Sequence, residues 1–100
     1  MTYANVGRLR AQPGRSAELV AILVRPKEGL REAGCMLYEV GGDQDDSDGV
    51  HVVELWESAE AHRASLRLDS VKAAITEAMP LLLPDLSSTG FEVAGSPLRF

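Results

Sequence analysis

The chain has 100 residues, 45% hydrophobic and 25% charged, which is the size and composition of one small globular domain. Its net charge of −5 argues against nucleic acid and anionic membranes as partners, because both are negatively charged. The single cysteine, Cys35, excludes an intrachain disulfide and a cysteine-rich zinc site.

No segment has the features of an export signal or a membrane span. Met1 to Arg10 lacks the apolar region of a signal peptide. The longest apolar run, Leu19 to Val24, is far shorter than the ~20 residues that span a bilayer. We therefore predict a cytoplasmic protein with a single domain over residues 1–100.

The first half of the chain predicts a strand, an interrupted helix and a second strand. Ser16 is placed to cap the helix, whose apolar residues recur at helical spacing. Pro26 should break this helix because proline lacks an N–H and clashes with the preceding turn, and Gly34 suits a helix C-terminus. The predicted elements are a strand over residues 3–11, a turn over 12–14, a helix from Ser16 to about Arg25, a second helical stretch to Ala33, and a strand from Cys35 to Val40.

The second half predicts a hairpin, a helical region and a last strand. Alternation after the polar loop puts Glu54 and Trp56, with Val50 and Val52, on one face of the sheet. Ser58 is a good N-cap for the next helix. The predicted elements are a loop over 41–49, a strand over 50–57, a helix to about Leu68, a helix over 70–79 with Val71, Ala74, Ile75 and Ala78 on one side, an irregular connection over 80–84, and a strand over 90–100.

The element order β-α-β-β-α-β predicts a ferredoxin-like α+β fold, with a four-stranded antiparallel sheet and helices on one face. The strand over residues 50–57 carries large apolar side chains on both of its faces. The face without helices should therefore be covered as well, most simply by a second copy of the chain. We predict a homodimer.

Two segments resemble the signature of the antibiotic biosynthesis monooxygenase family. The first is Val24-Arg25-Pro26 followed by residues 32–40, and the second is residues 54–62 with the helix that follows. With the turn at residues 13–14, the resemblance covers about residues 4–83. It implies a dimeric α+β barrel with a pocket between the sheet and the helices of each subunit. It also implies oxygenation of phenolic or quinol-type compounds by molecular oxygen, without flavin, metal or haem.

The chain departs from the family pattern on the helix after the tryptophan and on the first strand. Where relatives often carry a histidine on that helix, this chain has Ser65, and His62 stands three residues earlier. Haem-degrading relatives use an asparagine on the first strand and a histidine after the tryptophan. Those positions fall on Gly7 and Leu66, although Asn5 lies on the same strand face as Gly7. The usual axial haem ligand is missing, which argues against haem degradation.

Oxygenation without a cofactor needs a flat apolar pocket, a base that removes a proton, and donors for the developing oxyanion. Trp56 offers a flat surface and an indole N–H, although a core tryptophan is the alternative interpretation. Glu54 on the same face would be a partly desolvated carboxylate and hence a possible base. The alternative interpretation of Glu54 is an ion pair with an arginine across the sheet or across the dimer.

Four other side chains are candidates for the same site. His62 could act as a base or donor, or be a solvated residue on a polar helix. Tyr38 could donate its phenolic proton to a substrate, or be a core tyrosine. Arg8 could stabilise a phenolate, or be solvated or paired with Glu54, and Asn5 lies on the opposite face of its strand. We predict Glu54 and His62 as catalytic residues, and Trp56, Tyr38, Asn5 and Arg8 as substrate-binding residues.

The acidic loop matches part of a calcium-binding pattern, at Asp43, Asp45, Ser47 and Glu54. The glycine that the pattern requires is replaced by Asp48, so we predict a solvated hairpin tip and no metal site. The overall prediction is a cofactor-independent monooxygenase acting on a small phenolic or quinol-type aromatic compound. The alternative is a non-catalytic ligand-binding or stress-related dimer, because one fold can carry several functions.

Overall fold

The structure is a computed structural model, and it describes residues 1–99. Four strands and three α-helices lie within these residues. None of the helices in this part of the chain is long and apolar enough to cross a membrane. The elements are β1 (Tyr3–Arg10), α1 (Ser16–Val24), β2 (Cys35–Gly42), β3 (Gly49–Trp56), α2 (Ala59–Ser65), α3 (Asp69–Ala78), a 3₁₀ turn (Met79–Leu81) and β4 (Ser87–Glu92).

The four strands form one antiparallel sheet in the order β2-β3-β1-β4, which confirms the predicted ferredoxin-like arrangement. In this sheet β1 is central, and Tyr3 pairs with Trp56 while Asn5 pairs with Glu54. Residues that pair across strands share a face, so Tyr3, Asn5, Glu54 and Trp56 all point to the helices. The register therefore gathers polar and aromatic side chains at one end of the helix-covered face.

The hydrophobic core fills only the other end of that face. Leu19 of α1 and Val50 of β3 are completely buried there, and they pack with Ala11, Ala78 and Leu81. Because Val50 and Trp56 lie at opposite ends of β3, the end of the layer that holds Glu54 and Trp56 lies outside this packed cluster. The position of the core thus sets the position of the candidate site.

The connection between α1 and β2 differs from the prediction. Ser16 is the first helical residue rather than the cap, since Arg15 occupies the N-cap position without a side-chain bond. The helix does end near the predicted place, at Val24, but the following segment forms turns instead of a second helix. Gly29 interrupts it with a φ of 91°, a conformation that no helix contains, and Gly34 ends it with a φ of 109°.

The last strand is shifted from the predicted range of 90–100. Observed pairing runs from Ser87 to Glu92, and the N–H of Val93 donates to the carbonyl oxygen of Thr2 at 2.9 Å. Beyond this point β1 offers no further residues to pair with, so the neighbouring strand ends as well. The predicted end of the strand at Phe100 lies outside the described residues.

The Asp43 side chain organises the acidic loop between β2 and β3. Its carboxylate accepts the N–H groups of Asp45 at 3.0 Å and Asp46 at 2.9 Å, and it lies 2.6 Å from His51 Nε2. The bond with His51 and the two backbone bonds lower the pKa of Asp43 to about 2. Within residues 1–99, no group of three or more His, Cys, Asp or Glu side chains is placed to hold a metal ion.

We expect Asp43→Asn to destabilise the protein near neutral pH and to have a smaller effect at pH 2. The folded-state pKa of Asp43 lies below its ordinary value of 3.8, so its charged form contributes fully to stability above that value. This contribution is lost as the pH falls through about 2. Urea denaturation at neutral and acidic pH measures the difference in the free energy of unfolding. Asp45→Asn is the matched control, and a difference that is independent of pH would contradict the prediction.

Candidate functional site

A cavity of about 290 Å³ lies between the sheet and the helices, beside the core. Its floor on the sheet includes Asn5, Tyr38, Glu54 and Trp56, and the predicted alternation of β3 is confirmed. Its roof is mostly apolar and includes the predicted apolar side of α3. The roof residues include Leu23, Leu66, Val71, Ala74, Ile75 and Met79. The cavity therefore combines a polar floor with an apolar roof, an arrangement typical of small-molecule sites.

Glu54 is the acidic group of this cavity, and two neutral donors hold it. Asn5 Nδ2 donates to Oε2 at 3.1 Å, and Trp56 Nε1 donates to Oε1 at 3.1 Å. The Glu54 side chain is 12% exposed. Among the residues that the structure describes, its carboxylate has one contact with a basic side chain, His62 Nε2 at 4.0 Å, so the alternative of an arginine partner within the chain does not hold. The bonds thus orient the carboxylate, and the indole N–H is engaged by Glu54.

His62 reaches the cavity from the last turn of α2. Ser58 caps this helix as predicted, because its Oγ accepts the N–H of Ala61 at 3.0 Å. The imidazole is 19% exposed and packs edge-on to Trp56, with 5.4 Å between the ring centroids. His62 is therefore a cavity residue, and the alternative of a fully solvated histidine does not hold.

Tyr3 is a second aromatic neighbour of His62. The two ring centroids are 5.7 Å apart. The Tyr3 ring reaches across to β4, where Gly90 leaves room for its hydroxyl, since a Cβ atom at residue 90 would overlap with the hydroxyl oxygen. His62 thus packs near the aromatic rings of both Tyr3 and Trp56, which limits the orientations that its imidazole can adopt.

Tyr38 supplies a phenol group to the floor from the neighbouring strand β2. It pairs with Glu54 across β2 and β3 and lines the same cavity. Burial, the charge on Glu54 and the thiol of Cys35 raise the pKa of Tyr38 to about 12. Its hydroxyl is therefore protonated at neutral pH and can donate a hydrogen bond.

Lys27 also lines the cavity, although it was not among the predicted site residues. Its Nζ donates to the carbonyl oxygens of Leu23 at 2.8 Å and Arg25 at 3.1 Å, and lies 5.7 Å from the centroid of the Tyr38 ring. Burial and the nearby charge of Arg25 lower the pKa of Lys27. A lysine directly after Pro26, which stops the helix, is placed to bind the last helical carbonyl groups, and this signal could have found it.

Arg8 is the one predicted site residue that the structure does not bring to the cavity. Its guanidinium lies 3.6 Å from the carboxylate of Asp46, on the face of the sheet that the helices leave uncovered. Side chains three residues apart on a strand point to opposite faces, so Asn5 and Arg8 cannot line one cavity. The suggested pairing of Arg8 with Glu54 is likewise not observed.

The family model of the antibiotic biosynthesis monooxygenases matches residues 2–77 of the chain. The matched region extends from the start of β1 into α3, so it includes every predicted site residue. No curated protein matches the chain significantly.

Solved structures are similar over nearly the whole chain. A candidate antibiotic biosynthesis monooxygenase from Chloroflexus aurantiacus J-10-fl is 38% identical, with 96% of this chain and 97% of that chain covered and a TM-score of 0.80. A second candidate member, from Deinococcus radiodurans, is 28% identical, with 96% of this chain and 95% of that chain covered and a TM-score of 0.78. A protein from Mycobacterium tuberculosis is 17% identical, with 97% of this chain and 99% of that chain covered and a TM-score of 0.82. At this identity the similarity shows the fold alone.

Proposed function

Because the chain belongs to the antibiotic biosynthesis monooxygenase family, we propose that it oxygenates a small phenolic or quinol-type aromatic compound with molecular oxygen and without a cofactor. The observation that best supports this proposal is the largely buried carboxylate of Glu54 in the floor of an apolar-roofed cavity. A general base must reach the proton that it removes, and a substrate bound in the cavity would place its hydroxyl group at Glu54.

The proposed reaction begins when Glu54 accepts the proton of the substrate hydroxyl group. The resulting phenolate transfers one electron to oxygen, and the two radicals combine to form a C–O bond at the carbon para to the hydroxyl. The O–O bond of this peroxide then breaks, the same carbon loses its hydrogen as a proton, and water leaves. The products are a quinone and one water molecule, and the substrate itself supplies the electrons that a cofactor would otherwise carry.

The neighbours of Glu54 have separate roles in this proposal. His62 Nε2, 4.0 Å from Glu54 Oε1, passes the proton to the departing oxygen. The protonated hydroxyl of Tyr38 donates to the developing oxyanion. Asn5 is a positioning residue because its amide holds the carboxylate. A substrate bound under the apolar roof would displace water from around Glu54, which would strengthen these electrostatic interactions.

Oxygen uptake by the purified, chelator-treated protein with anthrone or 1-naphthol tests the proposal. We expect uptake above the rate of autoxidation without protein, and the quinone formed under ¹⁸O₂ should carry one labelled oxygen atom. Binding of these compounds without uptake would favour the non-catalytic ligand-binding alternative. A shift of the haem absorption band on titration with haem would instead support the haem interpretation.

The uncovered face of the sheet supports a homodimer. Four large apolar side chains lie there in two adjacent cross-strand rows and are 39–50% exposed in the single chain: Val6, Leu37, Val53 and Phe91. A contiguous apolar surface of this kind marks an interaction site. We propose that the same face of a second copy covers it, which gives the dimeric α+β barrel.

We expect Val53→Lys to convert the dimer to a monomer. In a two-fold interface the introduced charge is buried near its own symmetry copy, so both desolvation and repulsion oppose association. Sedimentation velocity measures the mass of the wild-type protein and the variant at the same concentration. Val24→Lys is the matched control, because Val24 is 57% exposed at the end of α1, away from the sheet face. A monomeric wild-type protein, or a variant that remains dimeric, would contradict the proposed interface.

A further inference from the structure

A second cavity of about 330 Å³ adjoins the first one on the side towards β4. The two cavities share the lining residues Asn5, Leu9, Leu23, Tyr38 and Glu54. Glu54 therefore lies between two chambers rather than at a closed end. We refer to the cavity under α2 and α3 as the first chamber and to the one beside β4 as the second chamber.

The absence of a side chain at Gly7 leaves the second chamber open. Gly7 pairs with Val52 of β3 and Ser88 of β4, so it lies on the helix-covered face. A Cβ atom at residue 7 would have one neighbour within 4 Å among the described residues, the backbone oxygen of Ser87 at 3.7 Å. The φ angle of Gly7 is not positive, so a side chain there is compatible with the backbone. A larger residue would project into the chamber instead of disrupting the strand.

The lining of the second chamber differs in chemistry from that of the first. Ser88, which pairs with Gly7 and shares its face, brings a hydroxyl group to it, and Ser87 brings its backbone oxygen. Glu54 is the one charged residue among its described lining residues. Lys27 lines the first chamber but not the second. A neutral hydrogen-bonding group therefore suits the second chamber, whereas an anionic group would meet the carboxylate of Glu54 without a compensating cation.

We propose that Gly7 opens a subsite for a neutral hydroxylated or amide substituent of the aromatic substrate, so that one substrate spans both chambers. The row from Trp56 to Val52 along β3 is about 13 Å long at ~3.3 Å per residue. A ring system with a short polar arm fills this length when its hydroxyl lies at Glu54 in the middle. The inference rests on the proposed function, because the ring in the first chamber is the phenol that reacts.

Equilibrium binding of three related naphthols, followed by their fluorescence without oxygen, tests the subsite independently of turnover. The probes are 1-naphthol, 7-(2-hydroxyethyl)-1-naphthol and 7-(carboxymethyl)-1-naphthol. Their arms extend on the hydroxyl side of the ring system, so they can pass Glu54 into the second chamber while the ring stays in the first. For the wild-type protein we expect the hydroxyethyl arm to tighten binding by about 3- to 10-fold, as one hydrogen bond would. We expect the carboxymethyl arm to weaken binding relative to 1-naphthol.

Gly7→Val should abolish the advantage of the hydroxyethyl arm. We expect this variant to bind the hydroxyethyl probe about 3- to 10-fold more weakly than the wild type does, while its affinity for 1-naphthol changes by less than about 2-fold. Gly42→Val is the matched control, since Gly42 is an exposed strand residue that lines neither chamber. Thermal unfolding checks that the variants are folded, and Gly7→Ala, which should show a smaller effect in the same direction, replaces Gly7→Val if the latter does not fold.

Three outcomes would overturn the subsite. They are an equal loss of affinity for both neutral probes in Gly7→Val, no loss for either of them, and no binding of either by the wild-type protein. Binding with the expected pattern but no oxygen uptake would leave the subsite standing and would overturn only the oxygenase reaction. The failure of the subsite and the failure of the proposed function are therefore distinguishable.

Discussion

Glu54→Gln is expected to lower oxygen uptake with anthrone or 1-naphthol by about 10²- to 10⁴-fold, the usual contribution of a general base. Glutamine has the same shape, and its side-chain oxygen can still accept the indole N–H of Trp56. The Asn5 amide can rotate so that its own oxygen accepts a hydrogen bond from the glutamine amide. The substitution therefore preserves the cavity while removing the group that takes the proton.

The control for this variant is Glu60→Gln, which makes the same chemical change at an exposed position on α2. We expect it to leave oxygen uptake unchanged. Binding of 1-naphthol without oxygen should remain close to that of the wild type in both variants. Uptake by Glu54→Gln at the wild-type rate would mean that Glu54 is not the base and would direct attention to His62.

Trp56→Ala is expected to destabilise the protein by about 3–5 kcal/mol, the usual cost of removing a buried large aromatic side chain. Trp56 is 1% exposed, so the substitution leaves a void between the sheet and α2. A small domain has a total stability of about 5–15 kcal/mol, and this single change would therefore remove a large part of it. Urea denaturation measures the effect.

Trp56→Phe separates packing from hydrogen bonding at the same position. Phenylalanine keeps most of the ring but cannot donate to Glu54 Oε1, so we expect a smaller loss of about 1–3 kcal/mol. The variant should also lower oxygen uptake, because Glu54 loses one of the two donors that orient it. A loss below about 1 kcal/mol for Trp56→Ala would contradict the packing role of this residue.

The structure combines the two alternative interpretations of Trp56. The side chain is buried as a core residue would be, and it also lines the cavity and holds Glu54. Alternation along β3 predicted its face correctly because a strand has a local period of two residues. Ser58 was predicted correctly as a cap because capping depends on residues close in sequence.

The predictions that failed depended on information outside the local sequence. Ser16 has the chemistry of a cap, but the helix begins one residue earlier than that role requires. The end of β4 at Glu92 depends on where β1 begins, at Tyr3, which lies far away in the chain. The position of Arg8 beside Asp46 depends on how the hairpin loop folds back over β1.

Short motifs and local periodicity were enough to predict the family, the order of the elements and the strand face that carries Glu54 and Trp56. The surroundings of Glu54 depend instead on contacts between segments that are distant in the chain. The bond from Asn5 joins residues 49 positions apart, and it exists because antiparallel pairing brings β1 beside β3. The same strand pairing leaves Gly7 facing the second chamber. The free volume beside a glycine depends on the neighbouring strands, so the glycine in the sequence does not reveal it.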